Sequence, residues 1–241
     1  MDLQDKVALV TGTSRGIGYY AAKALAQSGA HVIAVARTVG GLEELDDEIQ
    51  VAGGTATLVP LDLLDMEAID RLGGYINERW GKLDILFANA GMLGGLSPID
   101  HFEPDTFEKV YALNVTSTWR LLRSMTPNLR LSDSARVVVS CNQQSAEACK
   151  PFWGCYASSQ AALISLTKTF AAENAKWAMR INLLDPGPVR TNLRAQAMPG
   201  EDKELLSHPS EISPSLLKLI DQNLQVSGKV YSHGEQAFIK D

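Results

Sequence analysis

KVALVTGTSRGIG, residues 6–18, joins a short apolar, β-branched run to a glycine-rich turn, and the architecture of the chain follows from that junction. A run of this kind, ending in glycine, fits a strand buried on both faces, which is the signature of a parallel sheet. Residues 17–28 then place Ile17, Ala21, Ala24, Leu25 and Ser28 on one helical face, and Gly29 stops them. Strand, glycine turn and helix in that order are what an anion-binding loop requires. Gly12 permits the tight turn, Gly16 lets the backbone approach a pyrophosphate, and Gly18 allows close helix packing. Free N–H groups at the helix start attract the anion.

The alternation continues outward from this unit. HVIAVA (31–36), a helix over 39–51 and TATLVPLD (55–62) complete a β-α-β-α-β unit. A helix over 65–80, a strand at 83–89, a helix over 104–125, a strand at 135–141, a helix over 153–176 and a strand at 179–185 follow. The tail predicts a helix near 211–222 and a last strand at 228–232, for about seven strands in all. Parallel strands joined by crossover helices are the economical arrangement. The 241 residues show no internal repeat, low-complexity tract or linker, so they read as a single domain.

Bulk properties narrow the function. A net charge of −6 without a basic cluster argues against a nucleic-acid partner. The start, MDLQDKVALVTG, lacks a basic leader, and no later segment reaches the roughly 18 apolar residues of a membrane span. A cytoplasmic protein is expected. Cys141, Cys149 and Cys155 cannot all pair and form no CxxC, and the four histidines match no metal-ligand spacing. No metal is expected.

The T-G-x-x-x-G-x-G spacing of TGTSRGIG (11–18), with Asn-Ala-Gly at 89–91, resembles the short-chain dehydrogenase/reductase family, classical type. Asp62, Asn114, Tyr156 and PGPVRT (186–191) fall in the family's order, so the resemblance covers essentially the whole chain. It implies an α/β fold, a Rossmann-type doubly wound parallel sheet with helices on both faces. The dinucleotide-binding half would be about 1–92 and the catalytic half about 93–241, with a flap over about 187–210. It also implies a homodimer or homotetramer. The resemblance sets the dinucleotide against Gly12, Ser14, Arg15, Gly16, Ile17 and Gly18, then Arg37, then Asp62 and Leu63. Asn89, Ala90, Gly91, Tyr156, Gln160, Pro186, Gly187, Val189 and Thr191 complete the set, Thr191 meeting the nicotinamide carboxamide.

Charge selects between dinucleotides. A carboxylate at the end of the second strand binds a ribose 2′-OH and repels a 2′-phosphate. That position reads Ala36, then Arg37, and Arg15 lies in the glycine loop. Two guanidinium forks suit a phosphate, so NADP(H) is favoured over NAD(H).

The resemblance further implies hydride exchange with a carbonyl or alcohol of small size. In the family a tyrosine moves the proton, a serine holds the substrate oxygen, a lysine four residues after the tyrosine lowers its pKa, and an asparagine supports a water chain. A phenol titrates near pH ~10, and a cation about 4 Å away at an effective dielectric of ~20 is worth roughly 4 kcal/mol, or about three pKa units. Here Tyr156 and Asn114 are retained, but the lysine position is Gln160. Counting back from Tyr156 by the family's usual interval lands on Gln143, and counting forward from the strand at Arg136 lands on Asn142; neither is serine. Ser140 and Ser145 are displaced neighbours, Lys150 and Lys168 are the nearest lysines, and Glu147 is the nearest carboxylate in that loop. Phe152 and Trp153 either line a pocket or staple the loop. Three readings stay open: an NADP(H)-dependent oxidoreductase with atypical proton handling, a non-redox catalyst (cyclase, isomerase or dehydratase) on the same fold, and a non-catalytic dinucleotide-binding protein.

Overall fold

The computed structural model describes residues 1–240. Eight strands form one sheet in the order β3-β2-β1-β4-β5-β6-β7-β8. They are β1 (Val7–Thr11), β2 (His31–Ala36), β3 (Thr55–Pro60), β4 (Ile85–Ala88), β5 (Ala135–Ser140), β6 (Met179–Asp185), β7 (Val230–Ser232) and β8 (Ala237–Phe238). All pairings through β7 are parallel. The expected seven strands are thus joined by an eighth, the antiparallel β8, which pairs Tyr231 with Phe238 and Ser232 with Ala237. Two residues carry too little periodicity to announce a strand.

The connecting helices are α1 (Gly16–Gln27), α2 (Val39–Val51), α3 (Met66–Trp80), α4 (Pro104–Tyr111), α5 (Ser117–Leu129), α6 (Gln143–Glu147), α7 (Gly154–Glu173), α8 (Asn192–Ala197) and α9 (Ser213–Leu219). The sheet divides two apolar cores. Ala8, Val10, Val32, Ala34, Ile85 and Phe87 face α1, α2 and α9. The alternate residues Val7, Leu9, Ile33, Val35, Leu86 and Ala88 face α3, α5 and α7. Because both faces are covered, every residue of β1 and β4 is buried, which explains their unbroken apolar runs.

Three expectations are revised. The helix expected over 104–125 is α4 and α5 joined by a π-helical turn, Ala112–Thr116, whose extra residue per turn re-aims Asn114 inward. The loop after β5 holds the short α6, capped by the Asn142 side chain accepting from Ser145 N at 2.8 Å. The face of α1 is broader than the Ile17/Ala24/Ser28 stripe, since Gly18, Tyr19, Ala22 and Ala26 are buried with Ala21 and Leu25.

At the N-terminal ends of the central strands, away from the glycine loop, Asp84 ties β1 to the turn before β5. It is 2 % exposed and accepts from Val7 N (3.0 Å) and Ser132 Oγ (2.6 Å), with Lys6 and Lys82 beside it. Burial opposes its charge, but these donors and lysines together hold its carboxyl below the usual range.

β1 and β4 are neighbours, yet their crossovers leave on opposite faces, so a crevice opens beyond their C-terminal ends. The fit there is close. A methyl group on Gly18 would collide with Gly12 O and stand 2.7 Å from Asn89 Nδ2. Gly18→Ala is expected to cost about 2 kcal/mol in urea denaturation through overpacking, and an unchanged midpoint would show that α1 has room to move.

Candidate functional site

Thr11, at the end of β1, builds the crevice floor. Its hydroxyl accepts from Asn89 N (3.0 Å) and Ala90 N (3.2 Å), and its carbonyl accepts from Asn89 Nδ2 (3.2 Å). Thr13 Oγ1 donates to Val35 O (3.2 Å), and Gly12 N donates to the same carbonyl (2.9 Å). Gly12 and Gly16 adopt φ of +73° and +63°, backbone that side-chain-bearing residues avoid. A Cβ on Gly16 would lie 3.6 Å from Thr191 Cγ2, so the glycine loop and the PGPVRT segment face each other across the crevice.

Together they line a cleft of about 910 Å³. Its nucleotide end contains Gly12, Ser14, Arg15, Gly16, Ile17, Arg37, Asp62 and Leu63. Its inner wall contains Asn89, Ala90, Gly91, Asn114, Asn142, Tyr156 and Gln160, and its far wall contains Pro186, Gly187, Val189 and Thr191. Gly18 alone of the expected set is not on the surface of the cleft; it is buried beneath the loop. Arg15, Arg37 and Lys109 line the cleft, Arg190 and Arg194 line it in ion pairs with Glu204 and Glu201, and Asp62 is the one carboxylate on it, so an anion is favoured despite the net charge of −6. Neither Arg15 nor Arg37 is in an ion pair among the described residues. Arg190 Nε is buried with no hydrogen-bond partner among them. Cleft size, left-handed glycines and unpaired guanidinium groups fit a dinucleotide phosphate chain.

At the inner end Tyr156, in the first turn of α7, is 7 % exposed, with the Trp153 ring 6.1 Å away edge-on. Burial pushes its phenol well above the ordinary range. A hydrogen bond from Asn142 opposes the shift, while Cys141 and Asp185 add to it. Of the two residues that counting left open, Asn142 lines the cleft with Tyr156. Gln143 does not line the cleft: its amide nitrogen bonds Glu147, and its Oε1 is buried without a partner.

Gln160, 5 % exposed, accepts from Asn142 N at 2.9 Å. The two positions that carry amides are thus direct partners, one ordering the other. Asn114, 1 % exposed, spends its side chain on structure. It accepts from Met92 N (2.9 Å) and donates to Met92 O (3.0 Å) and Ser159 Oγ (3.0 Å).

The segment after β6 is tied down. Arg194 grips Glu201 through Nε (2.6 Å) and Nη2 (2.5 Å), Arg190 reaches Glu204 at 3.2 Å, and Val189 bridges to Ser207. A smaller annex of about 200 Å³ opens under it, lined in part by Asn142, Ser145, Lys150, Trp153 and Asp185. Trp153 accordingly lines the pocket, whereas Phe152 is 56 % exposed. Lys150 stands 4.9 Å over the Trp153 ring.

Asp185 escapes the sequence reading. It ends β6 at 8 % exposure, and its carboxylate accepts from Gly187 N and Gln143 N at 3.0 Å each. Burial raises its pKa, against the pull of the Gly187, Gln143 and Gln144 N–H groups. An acidic residue directly before Pro-Gly, at the C-terminal end of a parallel strand, was the available signal. Thr11 and Ser159 were missed because their role is to hold backbone, which spacing does not display.

The site and fold define a nucleotide-dependent oxidoreductase-type domain. A short chain dehydrogenase family model matches residues 6–202, and the chain belongs to that family. It is 32% identical over 233 residues to the oxidoreductase YciK of Escherichia coli K12, covering 95% of this chain and 92% of that one. A short chain dehydrogenase from Shigella flexneri 2a, solved complexed with NADP, superposes with a TM-score of 0.91 at 32% identity, covering 96% and 98% of the two chains. One from Escherichia coli CFT073, complexed with NADPH, gives 0.89 at 32% identity, covering 96% and 97%.

Asn114→Ala would leave Met92 N–H, Met92 C=O and the Ser159 hydroxyl unpaired. It is expected to lower unfolding free energy by about 2–3 kcal/mol, checked by chemical denaturation; a loss below about 0.5 kcal/mol would show that the clamp is dispensable.

Proposed function

We propose that the protein is an NADP(H)-dependent oxidoreductase that reduces a small carbonyl compound with a neutral proton-handling site. The observation that carries this reading is the cleft itself: a glycine loop, two unpaired arginines at its nucleotide end and a buried tyrosine at its inner end. The NADP- and NADPH-complexed relatives support the cofactor. Arg15 and Arg37 would hold the 2′-phosphate, the glycine loop the pyrophosphate, and Thr191 the carboxamide. When bound, the cofactor supplies the hydride.

The chain's own residues then handle the oxygen. Asn142 and Tyr156 occupy the positions of two hydrogen-bond donors to a carbonyl oxygen, an arrangement that stabilises developing negative charge. Asn142 stands in the place of the family's serine and Gln160 in that of its lysine. Tyr156 remains protonated, since burial raises its pKa. A phenol is intrinsically a stronger acid than an aliphatic alcohol, and the burial that disfavours the tyrosinate disfavours an alkoxide beside it as well. Proton transfer to a forming alkoxide is downhill. The reverse reaction needs a tyrosinate, to which the Gln160–Asn142 network offers a hydrogen bond but no countercharge, because an amide is neutral. The site is biased toward reduction.

A second reading, a dinucleotide-binding protein without redox turnover or a non-redox catalyst, draws on the same neutral network. A cofactor-oxidation screen with diverse carbonyls beside calorimetric NADP(H) titration separates the two, and binding without turnover would favour the second.

Arg37→Ala is expected to weaken NADPH binding about ten- to a hundredfold, the worth of a hydrogen bond to a charged group, while NADH affinity moves less than about twofold. Equal losses for both would refute the 2′-phosphate assignment. In pH profiles, reduction should show no Tyr156 ionisation between about pH 6 and 9, and alcohol oxidation should climb about tenfold per unit without a plateau. Gln160→Lys with Asn142→Ser should bring a plateau into the profile, because the added cation lowers the tyrosine pKa by about three units. A plateau already present in the unmodified protein would overturn the neutral-site mechanism.

A further inference from the structure

The annex beside Tyr156 is small and polar. Its roughly 200 Å³ corresponds to about seven water molecules at ~30 Å³ each. Six polar side chains line it: Asn142, Gln144, Ser145, Lys150, Asp185 and Arg194. An acyl chain or polycyclic substrate would strand these groups without partners, at a cost that the remaining apolar wall, chiefly Trp153 and Met198, is too small to offset.

The charges also select. Arg194 is committed to Glu201 through two short bonds, so its charge is not free for a ligand. Lys150 lies at the exposed side, over the Trp153 ring and 3.9 Å from Met198 Sδ. Asp185 occupies the inner side. An anionic substrate group would meet that carboxylate, whereas a hydroxyl would donate to it. Two backbone N–H groups, of Gly187 and Gln143, occupy two of the roughly four acceptor positions of the carboxylate, leaving acceptor capacity for a ligand. Asn142 and Ser145 add groups that both donate and accept, and the Trp153 face offers a flat wall for a carbon skeleton.

We propose that the annex selects small, uncharged, polyhydroxylated carbonyl compounds and the corresponding polyols, with Asp185 accepting a hydrogen bond from a hydroxyl neighbouring the reacting carbon. Asp185 is then a specificity-determining residue. This assignment rests on the oxidoreductase reading for its chemistry, although the annex also makes a prediction about binding alone.

The experiment is a calorimetric and saturation-transfer titration of the full chain with xylitol and with 1,5-pentanediol, its counterpart lacking three hydroxyls, with and without NADP⁺. Xylitol should bind at least about tenfold more tightly. Asp185→Ala should bring the two ligands within about threefold. Because that change also removes the partner of two N–H groups, Ser145→Ala serves as a second variant, expected to lose about fivefold for xylitol at an unchanged melting temperature. Parity of the two ligands in the unmodified protein overturns the proposal, as does an unaltered preference in folded Asp185→Ala. NADPH oxidation by propanal as fast as by glyceraldehyde would also overturn it while leaving the oxidoreductase reading intact. Xylitol preference in a protein with no NADP(H) affinity would keep the annex assignment and remove that reading.

Discussion

The contact between Gly18, Gly12 O and Asn89 Nδ2 is the constraint on which the crevice depends. Only where a helix starts this close to the strand ends can its free N–H groups face a ligand lying over the sheet. The closeness is held from below by Thr11, whose hydroxyl and carbonyl take up the Asn89 and Ala90 donors. One threonine, two glycines and one asparagine thus bring β1, α1 and the end of β4 into a single rigid floor. The cationic lining works because this floor is fixed before any ligand arrives, so little ordering is required on binding.

The inner end of the cleft follows a different physical logic. Its polar groups are paired within the protein: Gln160 with the Asn142 backbone N–H, Asn114 with Met92 and Ser159, Asp185 with the Gly187 and Gln143 N–H groups. Lys109 is the one lysine on the cleft among the described residues, and Cys141 and Asp185 both press the Tyr156 phenol toward the protonated form. A site of this kind binds and polarises through fixed dipoles. Gln160 Oε1 holds the backbone N–H of residue 142, so replacing Gln160 frees that backbone, whereas the Asn142 side chain is held separately by Ser145 N.

The sheet, its helices and most of the cleft were legible because burial on both faces imposes a simple pattern. Val7–Thr11 and Ile85–Ala88 have no polar alternation to confuse with a loop. The glycine loop was legible for the opposite reason, as its φ values exclude other residues. The ambiguity between Asn142 and Gln143 lay in α6, whose five residues are too few for a periodic signal and whose cap shifts the apparent register by one. Asn114 was located but not understood: spacing placed it in the cleft, and only the π-helical turn shows its amide spent on Met92. Asp185 looked like the last residue of a strand, and its meaning lies in what comes near it from loops distant in sequence.

The margins of the sheet bear on how the protein behaves in a crowd. A strand at an edge offers its outer backbone groups to any other chain. On one side β8 turns back and covers β7 with two residues, too short to extend a template. On the other, β3 ends at Pro60, which has no N–H to donate, and its Thr55 and Thr57 hydroxyls lie 2.9 Å from the His31 ring nitrogens. A sheet so apolar at its centre is a hazard for cross-β stacking at any exposed margin, and the same hairpin that looks like an afterthought of the chain limits that growth.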